Sequence, residues 1–397
     1  EAAEDEDPAR LKEYYFKKID YEEIECFAQI EFGPNAKIFL EKVNKRAIIE
    51  LITIPFYLKY FVEIFKESSQ LPDNICALFE ALINKKLLSD KEHFRNTYNV
   101  SISNSLLLHE KIALIMEIIC KNSIADEMIK EIILDSNDNE LLVFSGLFFK
   151  RLNENKEFWE FEHNNFQEFL AAKMLAVNDL GVIKEFITFD SNQSIVIPSW
   201  TNTISFLSTL YPKDDLLNWL YETQPEILVK FEKDRIPSKL RHEIFIKIFS
   251  YYKQRKIWID TDKYDLRELG KMASNGPTIE FLINEVETEQ DNIIRSNAIM
   301  MFGFVENLDS EKSKQIKQLL LKLITEHKAE NLISKSINAL NNLEFHDIET
   351  ISQIIKVLEG KSNAHIRSCI YNIIHESKAS NDFVDFLLSG IQYIRTN

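Results

Sequence analysis

Leu147-Phe148-Phe149-Lys150-Arg151-Leu152, a polar Asn153-Glu154-Asn155-Lys156, and then Glu157-Phe158-Trp159-Glu160-Phe161 alternate apolar and polar residues on either side of a turn. Period two on both arms predicts a β-hairpin. The chain runs on into Glu162-His163-Asn164-Asn165-Phe166-Gln167-Glu168-Phe169-Leu170-Ala171-Ala172, where the period becomes helical. Either asparagine can cap that helix, because an amide or carboxylate follows three residues later: Gln167 after Asn164, or Glu168 after Asn165. His163 is therefore expected at a helix N-terminus.

Helices precede the hairpin. Leu71-Pro72-Asp73 starts one that carries Ile75, Leu78, Phe79 and Leu82, and two more are expected near 105–121 and 124–135. Helices followed by one hairpin suggest a winged helix over residues 71–178. Further upstream, Ile24, Phe27 and Ala28 share one helical face, as do Ile38, Phe39, Leu40 and Val43, and Gly33-Pro34 makes a turn between them. The apolar stretch Ile48, Ile49, Leu51, Ile52, Ile54, Phe56, Leu58, Phe61 and Val62 is broken by Pro55. Proline suits the first turn of a helix, where its missing N–H has no partner to lose, so Pro55 divides two helices.

Beyond about residue 180 the pattern stays helical, with turns at Pro198, Pro212, Pro225 and Pro237, and no proline follows Pro277. Ile294-Arg295-Ser296-Asn297-Ala298, Ile333-Ser334-Lys335-Ser336-Ile337 and Ile366-Arg367-Ser368-Cys369-Ile370 form a loose repeat at offsets of 39 and 33 residues. Second helices at about 278–288, 311–328 and 348–360 alternate with them, which suggests a HEAT-like solenoid. The expected fold is mainly α: a helical domain, a winged helix with one β-hairpin, then an α-helical HEAT-like repeat solenoid. Its divisions are an acidic tail (1–11), a helical domain (12–70), the winged helix (71–178), a second helical domain or connector (179–262) and the repeat region (263–397).

Composition excludes several classes. The 397 residues suffice for two to four units, and with 45% hydrophobic and 28% charged residues they can form a large core. Only 8 glycines and 9 prolines disfavour turn-rich β-sandwiches and glycine-dependent nucleotide cradles. A formal charge of -16 repels phosphate backbones and anionic lipid, so no nucleic acid and no membrane partner is expected. Cys26, Cys76, Cys120 and Cys369 lie far apart without CxxC spacing, which reads as buried thiols in a reducing cytoplasm. No apolar run reaches the roughly 18–20 residues of a membrane span, the start is acidic where a signal peptide would be basic, and the missing initiator Met suggests a piece of a longer chain.

Motifs for catalysis are missing. Gly360-Lys361-Ser362 looks like the tail of a phosphate-binding loop, but the required glycine five residues earlier is Ile355 and a helix precedes it. It reads as a helix C-terminal glycine followed by a polar turn. GxGxxG and GxSxG do not occur. His93, His109, His242, His327, His346, His365 and His375 form no HExxH or i, i+4 ligand pair and read as surface or core residues, so no metal and no catalytic group is assigned. Asp214-Asp215, Glu22-Glu23, Lys85-Lys86 and Lys253-Gln254-Arg255-Lys256 read as solvated faces. Two places carry more. A helix N-terminus offers unpaired N–H groups and partial positive charge to a phosphate, and the His163 imidazole adds a donor there. The rigid ring of Pro55 can pack on an adenine face.

Together with their surroundings these places resemble the NACHT branch of the STAND signalling NTPases, which includes animal NOD-like receptors and bacterial antiphage sensors. The likeness covers roughly residues 12–178. Ile19-Asp20-Tyr21-Glu22-Glu23-Ile24-Glu25-Cys26-Phe27-Ala28 looks like the opening of the family's first helical domain, Glu50-Leu51-Ile52-Thr53-Ile54-Pro55-Phe56-Tyr57-Leu58 like its proline motif, and 161–172 like the end of its winged helix. The resemblance implies a switch in which a P-loop domain holds ADP in a closed monomer and a C-terminal repeat sensor detects a protein ligand, in bacteria a phage protein. ATP with Mg²⁺ then replaces ADP and the protein forms a homo-oligomer. Pro55 would take the adenine contact and His163 the β-phosphate contact. The chain departs from the family in having no P-loop and no acidic Mg²⁺-binding strand, so the nucleotide-binding domain is expected upstream, and this chain would be the non-enzymatic arm and sensor. A stand-alone α-helical repeat scaffold is the alternative reading, and an enzyme with an unrecognised site a third.

Overall fold

The computed structural model describes residues 19–45, 52–93, 101–133, 146–153, 156–231, 235–306, 308–326, 329–358, 364–377 and 380–388. The acidic tail, Ile48, Ile49, Glu50, Leu51, His327 and Gly360-Lys361-Ser362 lie outside these residues. The chain divides into two units, residues 1–179 and 180–397. Helix dominates both, and a single small sheet lies in the first among the described residues.

In the first unit, α1 (Tyr21–Phe32) opens on a reciprocal cap: the Asp20 carboxylate accepts from the Glu23 N–H at 2.8 Å, and the Glu23 carboxylate accepts from the Asp20 N–H at 2.9 Å. Gly33 then takes φ +53°, a backbone that L side chains rarely adopt, and Gly33–Asn35 forms a 3₁₀ turn into α2 (Ala36–Lys45). The buried face of α2 is Ala36, Phe39 and Val43, spaced i, i+3, i+7, so Ile38 points outward at 47% exposure rather than joining the apolar face expected of it. α3 (Pro55–Ser68) starts at Pro55. α4 (Ile75–His93) is capped by Asn74, which accepts from the Ala77 N–H at 2.9 Å, one residue beyond the expected Leu71-Pro72-Asp73 start.

The expected hairpin is present, and it is joined by a third strand. α5 (Ile102–Ile118) leads to β1 (Ser123–Ala125), α6 (Asp126–Ile132) and then β2 (Phe148–Asn153) and β3 (Lys156–Phe161). All pairs are antiparallel in the order β1-β3-β2, with Ile124 opposite Trp159 and Phe148 opposite Phe161. Helix, strand, helix, then a hairpin whose second strand pairs with the first strand is the winged-helix order. The expected helix at 124–135 is shorter because its first residues belong to β1. α7 (Asn164–Leu175) returns from the hairpin and packs along α5. Phe148 stacks on Trp159 at 5.3 Å and tilts against Phe161 at 4.8 Å, so the alternation read from sequence becomes an aromatic layer.

The second unit begins with α8 (Leu180–Ile187), α9 (Thr201–Leu210), α10 (Asp215–Thr223) and α11 (Pro225–Leu228). Six helices alternate after them: α12 (Ser238–Arg255), α13 (Leu266–Ala273), α14 (Gly276–Thr288), α15 (Asn292–Phe302), α16 (Ser310–Glu326) and α17 (Glu330–Asn342). α18 (Ile348–Leu358) and α19 (Ala364–Glu376) complete the series. Consecutive members pack as pairs, α12 with α13, α14 with α15, α16 with α17 and α18 with α19, while α13, α15, α17 and α19 each touch the next in a row. The three repeat motifs fall in α15, α17 and α19, where Ile294, Ile333 and Ile366 are buried. This is the helix-pair layering expected of a HEAT-like solenoid. Gly270 on α13 lies against Phe304, where an added Cβ would come within 2.6 Å of the Phe304 carbonyl oxygen.

Candidate functional site

Pro55 occupies the first turn of α3, with Ile54 in extended backbone before it, and its ring is exposed. His163 stands at the other helix start expected from sequence, with one difference. The cap is neither asparagine but His163 itself, whose extended backbone (φ -149°, ψ 144°) lets Nδ1 accept from the Asn165 N–H at 3.1 Å. The reason lies in the hairpin: β3 ends at Phe161 and the chain turns immediately, so the helix begins one residue earlier than Asn164 as cap would set it and two earlier than Asn165 would. An accepting Nδ1 leaves the ring proton of neutral His163 on Nε2. Partial burial lowers the histidine's pKa, against the opposing pull of Glu162, which favours that neutral form.

The structure brings the two helix starts together through their neighbours. Asn165 donates from Nδ2 to the Tyr57 hydroxyl, which joins the second residue past His163 to the second past Pro55. Around this bond Phe79 on α4 packs edge to face with Tyr57 at 6.1 Å and with Phe166 at 5.2 Å, and stacks on Phe169 at 5.4 Å. One phenylalanine thus positions both helix starts. Sequence reading placed Phe79 on an apolar face but could not assign it this part.

Glu162, adjacent to the histidine, would repel an incoming anion if left alone. Lys86 lies 2.6 Å from its carboxylate, and the Tyr60 hydroxyl donates to it at 3.4 Å. Burial holds the Tyr60 phenol above its ordinary pKa, with the Glu162 and Glu63 charges adding, so it remains a donor. Lys85 pairs with Glu67 at 2.6 Å, so the Lys85-Lys86 run is ion-paired and half-buried rather than a plain solvated face.

The remaining candidates separate. His109 is fully buried on α5, where its Nδ1 donates to the Ser105 carbonyl at 2.6 Å and its Nε2 meets no hydrogen-bond partner among the described residues. Burial pulls its pKa down to about 4. His242 bonds the Thr278 hydroxyl at 2.8 Å, His346 bonds Asn341, and His365 and His375 are exposed. Cys76 and Cys369 are buried, whereas Cys26 and Cys120 are exposed, which corrects the expectation of four buried thiols. Among the described residues no group of three or more His, Cys, Asp or Glu side chains could hold a metal ion. None of the described helices is long and apolar enough to cross a membrane.

An exposed proline ring and a histidine that keeps its proton on Nε2 thus stand at two helix N-termini joined through Tyr57 and Asn165. They are contact groups and not a phosphate cradle. No protein-family model matches this chain, and no curated protein matches it.

Proposed function

We propose that this chain is the regulatory arm and ligand-sensing region of a NACHT-type STAND signalling NTPase acting in the bacterial cytoplasm in antiphage defence. The Tyr57–Asn165 bond supports this reading best, because it sets Pro55 and His163 in one neighbourhood across 108 residues of sequence. The partner of that neighbourhood is an upstream nucleotide-binding domain. His163 donates from Nε2 to a phosphate of ADP and so favours the closed state, because a contact made in one state alone shifts the balance toward it. The helix pairs of 263–397 receive a protein ligand, and release of the closed state lets ATP and Mg²⁺ enter and a homo-oligomer form. This chain contributes contacts and no catalytic group.

The test is His163→Asn in the full-length protein. Asparagine is a good N-cap, so the helix start is kept while the imidazole donor is lost. Size-exclusion chromatography is expected to show spontaneous oligomers that the parent lacks; an unchanged monomer with unchanged ADP retention would remove the phosphate role. A second reading, a stand-alone scaffold for protein partners, draws support from the helix-pair layering. A native product of 46.6 kDa, the mass of this chain, would favour the scaffold, and a larger one carrying a GxxxxGK[ST] loop would favour the switch.

A further inference from the structure

In the second unit a cavity of about 400 Å³ opens beside α12. Lys247, Ser250, Tyr251 and Gln254 present one face of that helix to it, at spacings of three, four and seven residues. Pro225 and Glu226 of α11 face them, and Lys263 and Tyr264, just before α13, close the end. Two lining tyrosines pack on each other: Tyr252 and Tyr264 are both buried and meet edge to face at 6.3 Å. Tyr251, 49% exposed, stands at the mouth with the Arg255 guanidinium 3.8 Å over its ring.

Both ammonium groups are held in place within the protein itself. Lys247 donates to the Tyr221 carbonyl at 2.8 Å and to Glu222 at 3.1 Å while lying 4.2 Å over the Tyr221 ring, and Lys263 lies 3.0 Å from Glu226. Lysine has three N–H donors, so each head retains bonding capacity beyond these contacts. Nearby Asp260 turns its carboxylate into its own loop, accepting from the N–H groups of Asp262 at 3.0 Å and Lys263 at 3.3 Å. Burial raises the Tyr252 and Tyr264 phenols, which stay protonated. Each lysine is matched by one glutamate, Lys247 by Glu222 and Lys263 by Glu226, so what the lining offers a ligand is the remaining N–H donors of two fixed ammonium groups and not an excess of charge. Donors outnumber acceptors, and flat aromatic faces surround them.

The geometry points to a binding site for a carboxylate carried on a flat apolar group, the carboxylate on Lys247 and Lys263 and the ring against the tyrosines. This site is independent of the nucleotide switch proposed above. A preorganised charged donor pair gives strong, oriented bonds, and a volume of this size suits a small ligand or one side chain of a peptide.

The test titrates the whole chain, carrying ring-labelled tyrosine, with 3-phenylpropionate, with its uncharged counterpart 3-phenylpropanol, and with acetyl-Phe-Asp-amide. The acid is expected to shift the Tyr251, Tyr252 and Tyr264 signals and to bind about tenfold more tightly than the alcohol, with that advantage lost in Lys263→Met. Tyr251→Ala, at an exposed position, should weaken acid and alcohol alike while circular dichroism stays unchanged. Tighter binding of the peptide than of the free acid assigns the site to a protein segment, and the reverse order to a small metabolite; both carry the carboxylate chemistry. Equal binding of acid and alcohol, no binding of any probe, or an unaltered preference in Lys263→Met overturns the assignment.

Discussion

In residues 19–179 the side-chain bonds that close the structure reach far along the chain: Tyr57 to Asn165 over 108 residues, Tyr60 to Glu162 over 102 and Gln167 to Glu117 over 50. In residues 180–397 they reach one repeat: Lys253 to Glu285 and Glu306 to Ser274 over 32, Lys317 to Asp347 over 30 and Asn297 to Ile259 over 38. A far-reaching contact can form only after a long loop has been ordered, so the first unit gains its site cooperatively, whereas each helix pair of the second depends on its neighbours. The site at Pro55 and His163 is therefore sensitive to changes anywhere in its unit. The carboxylate cavity, built from α11, α12 and the turn before α13, should answer mainly to local changes.

The strongest challenge to this contrast is Phe79→Ala. Removing a ring that touches Tyr57, Phe166 and Phe169 should cost about 3–5 kcal/mol. Hydrogen exchange should accelerate throughout residues 52–175 and not in α4 alone; loss of protection confined to α4 would mean that the first unit is not cooperative. Next is acid. His109 is held neutral, with a pKa near 4 against 6.5 for the free side chain, so its contribution is intact above about pH 6.5 and is lost as pH falls from there toward 4. The expected loss, on the order of 3 kcal/mol, should vanish in His109→Leu. Glu110, whose pKa burial raises, works in the opposite direction, so the reading is the difference between parent and variant in urea midpoints across pH 4–7.

The smallest effect sharpens the second unit. Asn297, buried in α15, donates to the Ile257 carbonyl at 2.9 Å and accepts from the Ile259 N–H at 3.2 Å, holding 257–259 as a strand partner would. Asn297→Ala should cost about 1–3 kcal/mol by leaving those backbone groups unpaired. Exchange should rise at Ile257 and Ile259 and in α15, with α19 still protected; equal loss in α19 would show that the repeats unfold as one body.

Much of this architecture is legible in the sequence because periodicity is a local property. The hairpin at 148–161, the helix starts at Pro55 and His163 and the motifs of α15, α17 and α19 all follow from spacing. β1 escaped because three residues, Ser123-Ile124-Ala125, are too few to display a period. The histidine cap escaped because asparagine is the commoner cap and the end of β3, a matter of sheet register, decides the first helical residue. Asn297, the buried His109 and the cavity beside α12 depend on partners that only the folded chain brings near. The same holds for the junction of Tyr57 with Asn165.

Gly270 has a mechanical consequence. In a row where α13, α15 and α17 each rest on the next, the thinnest residue sits where α13 meets Phe304, at the joint that carries the later helices. A methyl group inserted there would act as a shim at the base of a stack, and its small displacement would be passed to each later pair by leverage. The position of the last helices is thus set in part by the absence of one carbon atom.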